Sequence, residues 1–126
     1  MLFPSVEVVE SIHAELIERY GGCDGLRDRG LLESAVARVE NKVFSDRSAT
    51  VAEVAASLAW GLMKNHAFLD GNKRVGFGAL VAFVQANGHR LICPEIEETG
   101  MVFRAAAGEI LEEEWSAWVS RSIEPL

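Results

Sequence analysis

Positive charge is scarce in this chain. Twelve Lys and Arg face nineteen Asp and Glu, for a formal net charge of −7 at pH 7 with His neutral. A broad nucleic-acid-binding surface needs clustered Lys and Arg, so none is expected. Long hydrophobic runs are also missing. No stretch of about 18 apolar residues occurs, so no membrane-spanning helix is expected. The opening Met1-Leu2-Phe3-Pro4-Ser5 lacks a basic region followed by an apolar one, so no signal peptide is expected and the expected location is cytoplasmic. Cysteine is limited to Cys23 and Cys93, with no CxxC spacing and no neighbouring His cluster, which leaves two small buried or semi-exposed thiols. Proline is limited to three residues, and with the periodic apolar runs this favours an all-helical fold.

What is present is helical spacing. At 126 residues the chain is one domain, residues 1 to 126, with enough apolar content for a real core. Ser5 is placed to cap a first helix whose Val8, Val9, Ile12, Leu16, Ile17 and Tyr20 share a face and which Gly21-Gly22 ends. His13 on that helix reads as a surface or partly packed residue. Residues 21 to 30 form a Gly-rich charged loop, with Asp28 the cap of a second helix over about 30 to 43. Arg38 of that helix falls with its solvated face. Thr50 or Ser48 caps a third helix, 50 to 65, apolar enough to be central. A fourth runs from about 72 to 87, where Asn87-Gly88 stops it. Gly76 and Gly78 inside it point to close helix packing or close approach of a ligand. His89 to Cys93 is a short extended piece at most. A fifth helix starts at Pro94 and ends at Gly108, and a last one spans Ile110 to Ile123.

Between the third and fourth helices lies His66-Ala67-Phe68-Leu69-Asp70-Gly71-Asn72-Lys73-Arg74. It opens onto a helix N-terminus, where unpaired N–H groups and the helix dipole suit an anion. Gly71 permits a tight turn, Asn72 is placed to cap, and Lys73 and Arg74 add charge that can grip phosphate. Asp70 is the hard oxygen ligand that Mg²⁺ takes beside phosphates, and His66 can serve as a general base. Phe68 anchors the loop in the core. A Gly-Asn turn with flanking charges is in itself a common connection between helices. Base, acid, turn and cations in one ordered run are instead the parts of a phosphoryl- or nucleotidyl-transfer site.

The run His66-x-Phe68-x-Asp70-Gly71-Asn72-Lys73-Arg74 resembles the active-site motif of the Fic/Doc superfamily, H-x-F-x-[D/E]-G-N-[G/K]-R. It is most similar to the Doc (death-on-curing) toxin branch, where Lys stands at the position of Lys73. Arg19-Tyr20-Gly21-Gly22, Gly30-Leu31-Leu32-Glu33-Ser34-Ala35 and Asn87-Gly88 extend the likeness over nearly the whole chain. The resemblance implies an all-α bundle of about six helices with the active-site loop between two central helices. It implies His66 as base for a Ser, Thr or Tyr hydroxyl and Asp70 as the Mg²⁺ ligand. It places Gly71, Asn72, Lys73 and Arg74 on the phosphates of ATP, with Lys73 and Arg74 also neutralising charge during transfer.

In that branch the implied activity is ATP-dependent phosphorylation of elongation factor Tu, which arrests translation. Most Fic proteins instead carry Gly at the position of Lys73 and transfer AMP. A nucleotide- or partner-binding helical module without turnover is the third alternative, against which an intact His66 argues. The loop 21 to 30 lies near the active-site mouth in such folds, so Arg27 or Arg29 could touch a substrate. The inhibitory motif of many Fic proteins, [S/T]-x-x-x-E-[G/N], finds its nearest candidate in Ser11 to Glu15, which Leu16 follows. With no built-in inhibitor, the resemblance implies a separate cognate antitoxin whose disordered tail folds onto the toxin.

Overall fold

The computed structural model describes all 126 residues. Six helices run in order: α1 (Val6–Tyr20), α2 (Arg29–Ser45), α3 (Val51–Asn65), α4 (Asn72–Ala86), α5 (Glu95–Ala106) and α6 (Glu112–Arg121). The expected all-α bundle is therefore what forms. Three starts have local causes in their caps. The Ser5 hydroxyl accepts from Val8 N–H, the Asp28 carboxylate from Leu31 N–H, and Thr50 forms a reciprocal capping box with Glu53.

α3 is the axis of the molecule. It buries a run from Ala52 through Ala59, except Glu53, and then Gly61, Leu62 and Met63. α2, α4 and α6 pack around it. Small residues set the spacing. A β-carbon on Gly76 of α4 would lie 2.6 Å from Met63 Cγ and 3.1 Å from the Ala59 carbonyl oxygen, so α3 and α4 touch almost backbone to backbone. One on Gly78 would meet Leu16 and Ile12 of α1 at 3.1 and 3.2 Å. Both glycines thus serve helix packing, the first of the two roles their position suggested. Trp115 of α6, fully buried, donates its indole N–H to the Ala56 carbonyl and so satisfies its polar edge inside the core.

Two features differ from the sequence expectation. The last helix ends at Arg121, and Ile123–Pro125 form strand β2, antiparallel to β1 (His89–Leu91). A three-residue pairing leaves no periodic signal, and the expected helix runs on through Ile123. Arg38 is half-buried rather than solvated: its guanidinium donates to the Ser57 carbonyl and hydroxyl and pairs with Glu112, tying α2, α3 and α6 together. The two chain ends also meet. The Asn87 side chain brackets the Leu2 peptide, accepting from its N–H at 2.6 Å and donating to its carbonyl at 3.1 Å, and Leu126 N–H donates to the Gly88 carbonyl.

Candidate functional site

α3 ends by handing the chain to His66, which sits in the left-handed region at φ 51°, ψ 49°. This is the one non-glycine residue with positive φ in the chain, a conformation that costs a side-chain-bearing residue free energy and that its surroundings must hold. Arg27 does much of the holding. Its Nε donates to the His66 carbonyl at 2.7 Å and its Nη2 to the Asn65 carbonyl at 3.3 Å, placing a cation on the carbonyl end of α3. Arg27 is thereby a structural clamp of the loop, and it does not line the cleft below. Arg29 is committed elsewhere, to Glu7, Glu10 and Glu33. Neither arginine lines the cleft, in contrast to the expectation drawn for them.

The Gly-rich loop before α2 proves to be the backing of the motif loop, a pairing that the sequence did not disclose. Arg27 N–H and Asp28 N–H donate to the Ala67 carbonyl, and Leu69 N–H donates to the Gly25 carbonyl. Between these bonds Leu26 and Phe68 form an isolated antiparallel bridge. In such a pairing alternate residues point their peptide groups to opposite sides. The Phe68 N–H and C=O therefore turn away from the backing loop, and the Asn72 side chain takes both: it accepts from the N–H at 3.1 Å and donates to the carbonyl at 3.1 Å. Asn72 was expected to cap α4 and bind phosphate. The cap position is instead held by Gly71, at φ 79°, and the Asn72 carboxamide is engaged inside the loop through its oxygen and one of its two N–H groups. Its second side-chain N–H and its backbone N–H remain for a ligand.

Phe68 is buried, as its anchoring role requires, and its partner is the residue read as peripheral. His13 is 2% exposed, stacks on the Phe68 ring at 3.8 Å and 11°, and has Nε2 2.7 Å from the Asp70 carbonyl oxygen. The spacing Val9-His13-Ile17 was the available signal, since steps of four put His13 on the face that Val9 buries.

The chemistry-bearing groups converge on one open cleft of about 510 Å³. His66, Asp70, Gly71, Asn72, Lys73 and Arg74 line one side and Phe103, Ala106 and Ala107 of α5 the other. The Asn72, Lys73 and Arg74 N–H groups make no hydrogen bond, since the first turn of α4 begins with Val75 N–H donating to Gly71. The imidazole of His66 is exposed and unpartnered. Lys73 extends its ammonium over the Phe103 ring, 5.2 Å from the centroid. Arg74 donates to the Gly21 carbonyl at 2.8 Å and lies over Tyr20. Asp70 is the only carboxylate in the lining. Its Oδ2 accepts from Cys23 N–H and its Oδ1 from Gly71 N–H. These two N–H groups, with help from Arg74 and His13, hold its carboxyl below the usual carboxylate range. No group of three or more His, Cys, Asp and Glu side chains forms a metal cage. One ionised carboxylate beside free anion-binding amides instead suits Mg²⁺ carried in with phosphate.

Comparison with known proteins gives concordant results. Residues 3–84 match the family model described as the Fic/DOC family. The chain is similar to the protein kinase doc of Escherichia phage P1, 32% identical over 107 residues, which is 84% of this chain and 83% of that one. It is also similar to the toxin Doc of Mycolicibacterium smegmatis, 41% identical over 73 residues, which is 57% of this chain and 56% of the relative.

Proposed function

The chain belongs to the Fic/Doc family, and from that premise we propose that it is the toxin of a toxin–antitoxin pair, an enzyme that moves the γ-phosphoryl group of ATP onto a Ser or Thr hydroxyl of a translation protein. The observation that carries this reading is the meeting, in one cleft, of an unpartnered imidazole, an ionised carboxylate, three free backbone N–H groups and two cations. A binding module has no use for an exposed base at a strained helix end. The names of the phage and mycobacterial relatives, a kinase and a toxin, support the same reading.

The roles follow from position. His66 takes the proton of the incoming hydroxyl. The N–H groups of Asn72, Lys73 and Arg74 receive phosphate oxygens at the dipole end of α4. Arg74 is fixed by its bond to Gly21, so its charge is in place before a ligand arrives. Asp70 would hold Mg²⁺, which when bound neutralises phosphate charge. Lys73 carries a stem and a charge where most Fic motifs have Gly, occupying room that an α-phosphate in line with the hydroxyl would need. Its ammonium can swing from Phe103 onto the outer phosphate. This favours γ-phosphoryl transfer over AMP transfer.

A cognate antitoxin is the partner this reading requires. Beside the cleft runs a groove of about 380 Å³ whose apolar lining comes from Leu16, Tyr20, Phe77, Val102 and Phe103 and which Glu95, Glu98 and Thr99 also line. It shares Lys73, Arg74 and Phe103 with the cleft. An antitoxin tail folding as an amphipathic helix in this groove would cover both cations and so silence the site.

The test is label transfer in a bacterial lysate and with purified elongation factor Tu, the acceptor implied by the resemblance. Label from γ-tagged ATP should reach protein and label from the α position should not. The reverse pattern would replace this reading with AMP transfer, and no transfer of either label would leave the binding module. Lys73→Gly should weaken γ transfer and admit α transfer.

A further inference from the structure

His13 is the titratable residue most deeply buried in the chain, and the transfer chemistry makes no use of it. Filling a core position between α1 and the motif loop would take only Leu or Phe. The observed contacts ask for more. A carbonyl oxygen only accepts, so the 2.7 Å approach of Nε2 to the Asp70 carbonyl makes Nε2 a donor. The same ring lies flat on Phe68. Gly71 leaves room for it: a β-carbon there would come within 3.5 Å of Nε2. One imidazole from α1 thus holds two residues of the loop between α3 and α4, beside a third, Gly71, that carries no side chain to crowd it. Its Nδ1 faces outward, 3.8 Å from Asp24 Oδ1.

The Asp70–Gly71 peptide is where this matters. Its carbonyl is held by His13 and its N–H by Asp70's own Oδ1 at 2.8 Å. With both ends tied, the plane of that peptide is set. That plane fixes the φ of Gly71 and hence the direction in which the next three N–H groups point. It also sets the root of the Asp70 side chain. Freed from His13, the carbonyl has no other protein donor, and the peptide can rotate.

We propose that His13 is a positioning residue of the transfer site: its Nε2–H orients the Asp70–Gly71 peptide and so aims the anion-binding amides of α4 and the Asp70 carboxylate. The proposal rests on the phosphate-binding reading above for its consequence, but its geometry can be tested alone. Side chains that orient metal ligands from behind typically change affinity or activity by about 10- to 100-fold when removed, and His13 holds the peptide of Asp70 in the same manner.

The test uses the full-length ¹⁵N-labelled protein, with inorganic pyrophosphate and Mg²⁺ as the probe and the amide signals of Gly71 to Arg74 as readout. In the wild type, imidazole ¹⁵N shifts should show His13 Nε2 carrying a proton. His13→Phe keeps the stacked ring and loses the donor. It should melt cooperatively, displace the Gly71 and Asn72 signals, and bind pyrophosphate about 10-fold or more weakly. His13→Gln loses the ring but places an amide donor near the Nε2 position, and should recover affinity to within about threefold of wild type, since the hydrogen bond rather than the stack is decisive. An unprotonated Nε2 in the wild type would overturn the proposal. So would wild-type affinity in His13→Phe, or a His13→Gln as weak as His13→Phe. Should His13→Phe fail to fold, the wild-type tautomer and His13→Gln decide between the same outcomes. Should wild-type protein ignore pyrophosphate, the transfer reading stays with the label-transfer test above, and the Gly71 and Asn72 signals of His13→Phe decide for or against His13 by themselves.

Discussion

Replacing Asn72 with Ala isolates one element of this site, because the side chain hydrogen-bonds to no other residue than Phe68. Asn72→Ala deletes two hydrogen bonds of 3.1 Å each. At a net worth of about 0.5–1.5 kcal/mol per bond, the loss is about 1–3 kcal/mol, with the upper end favoured if water cannot reach the stranded Phe68 N–H. For a chain of this size each kcal/mol moves the melting temperature by roughly 3–5 °C, so the variant should melt roughly 3–15 °C lower. Circular dichroism at a helix band measures this directly. Lys73→Ala is the control: Lys73 is exposed and makes only the aromatic contact to Phe103, so its melting temperature should stay close to wild type. Asn72→Asp sharpens the test, since it keeps the acceptor for Phe68 N–H but sets a carboxylate oxygen against the Phe68 carbonyl; it should rescue nothing. An Asn72→Ala protein with the melting temperature of wild type and diminished phosphate binding would refute the assignment of this amide to the loop, and would return it to direct ligand contact.

His66→Gly removes the imidazole while suiting a φ of 51°. Its melting should be unchanged or raised while label transfer falls about 10²- to 10⁴-fold, and a kinetically normal variant would remove the base from the mechanism. Asp70 supplies a pH dependence. Its folded-state pKa is lowered, chiefly by the Cys23 and Gly71 N–H groups, so its ionised form stabilises the loop. That contribution is complete above the ordinary carboxylate pKa and is lost as pH falls through the lower folded value. The stability gap between wild type and Asp70→Asn should accordingly be widest near neutrality and close in acid; a gap constant with pH would contradict this. Two glycines should respond oppositely to Ala. Gly76→Ala drives a β-carbon into Met63 and the Ala59 carbonyl and should cost about 1–3 kcal/mol in a urea melt. Gly100→Ala, in the middle of α5 with nothing within 4 Å, should add up to about 1 kcal/mol.

What could be read from the sequence was whatever lies within one helical turn or one turn motif. Ser5, Asp28 and Thr50 all cap where local chemistry puts them, and the α3–loop–α4 unit has the expected bounds. Contacts between distant segments were not legible. The backing of Phe68 by Leu26 consists of backbone bonds, which any residue type can make, so composition carries no trace of it. Arg38 looks like any helix-surface cation until Glu112, far along the chain, folds beside it. His13 was misplaced because a polar label outweighed its spacing. Asn72 was assigned a cap because Asn is a favoured capping residue, whereas here Gly71 takes the cap position and the Asn72 amide brackets Phe68.

The meeting of the two chain ends at Asn87 and Gly88 has a use in the laboratory. α4 is 15 residues long, so at about 1.5 Å per residue its far end, where Leu2 and Leu126 are pinned, lies about 22 Å from the Gly71 amide. A tag, dye or surface tether added at either end therefore hangs clear of the cleft. Because the ends are neighbours, a short Gly-Ser bridge can join them, and new ends can be opened in the exposed turn between α2 and α3. Such a circular permutant would keep α3, the motif loop and α4 as one uninterrupted segment, and splitting it at the joined ends would give a two-fragment protein whose complete cleft depends on reassembly.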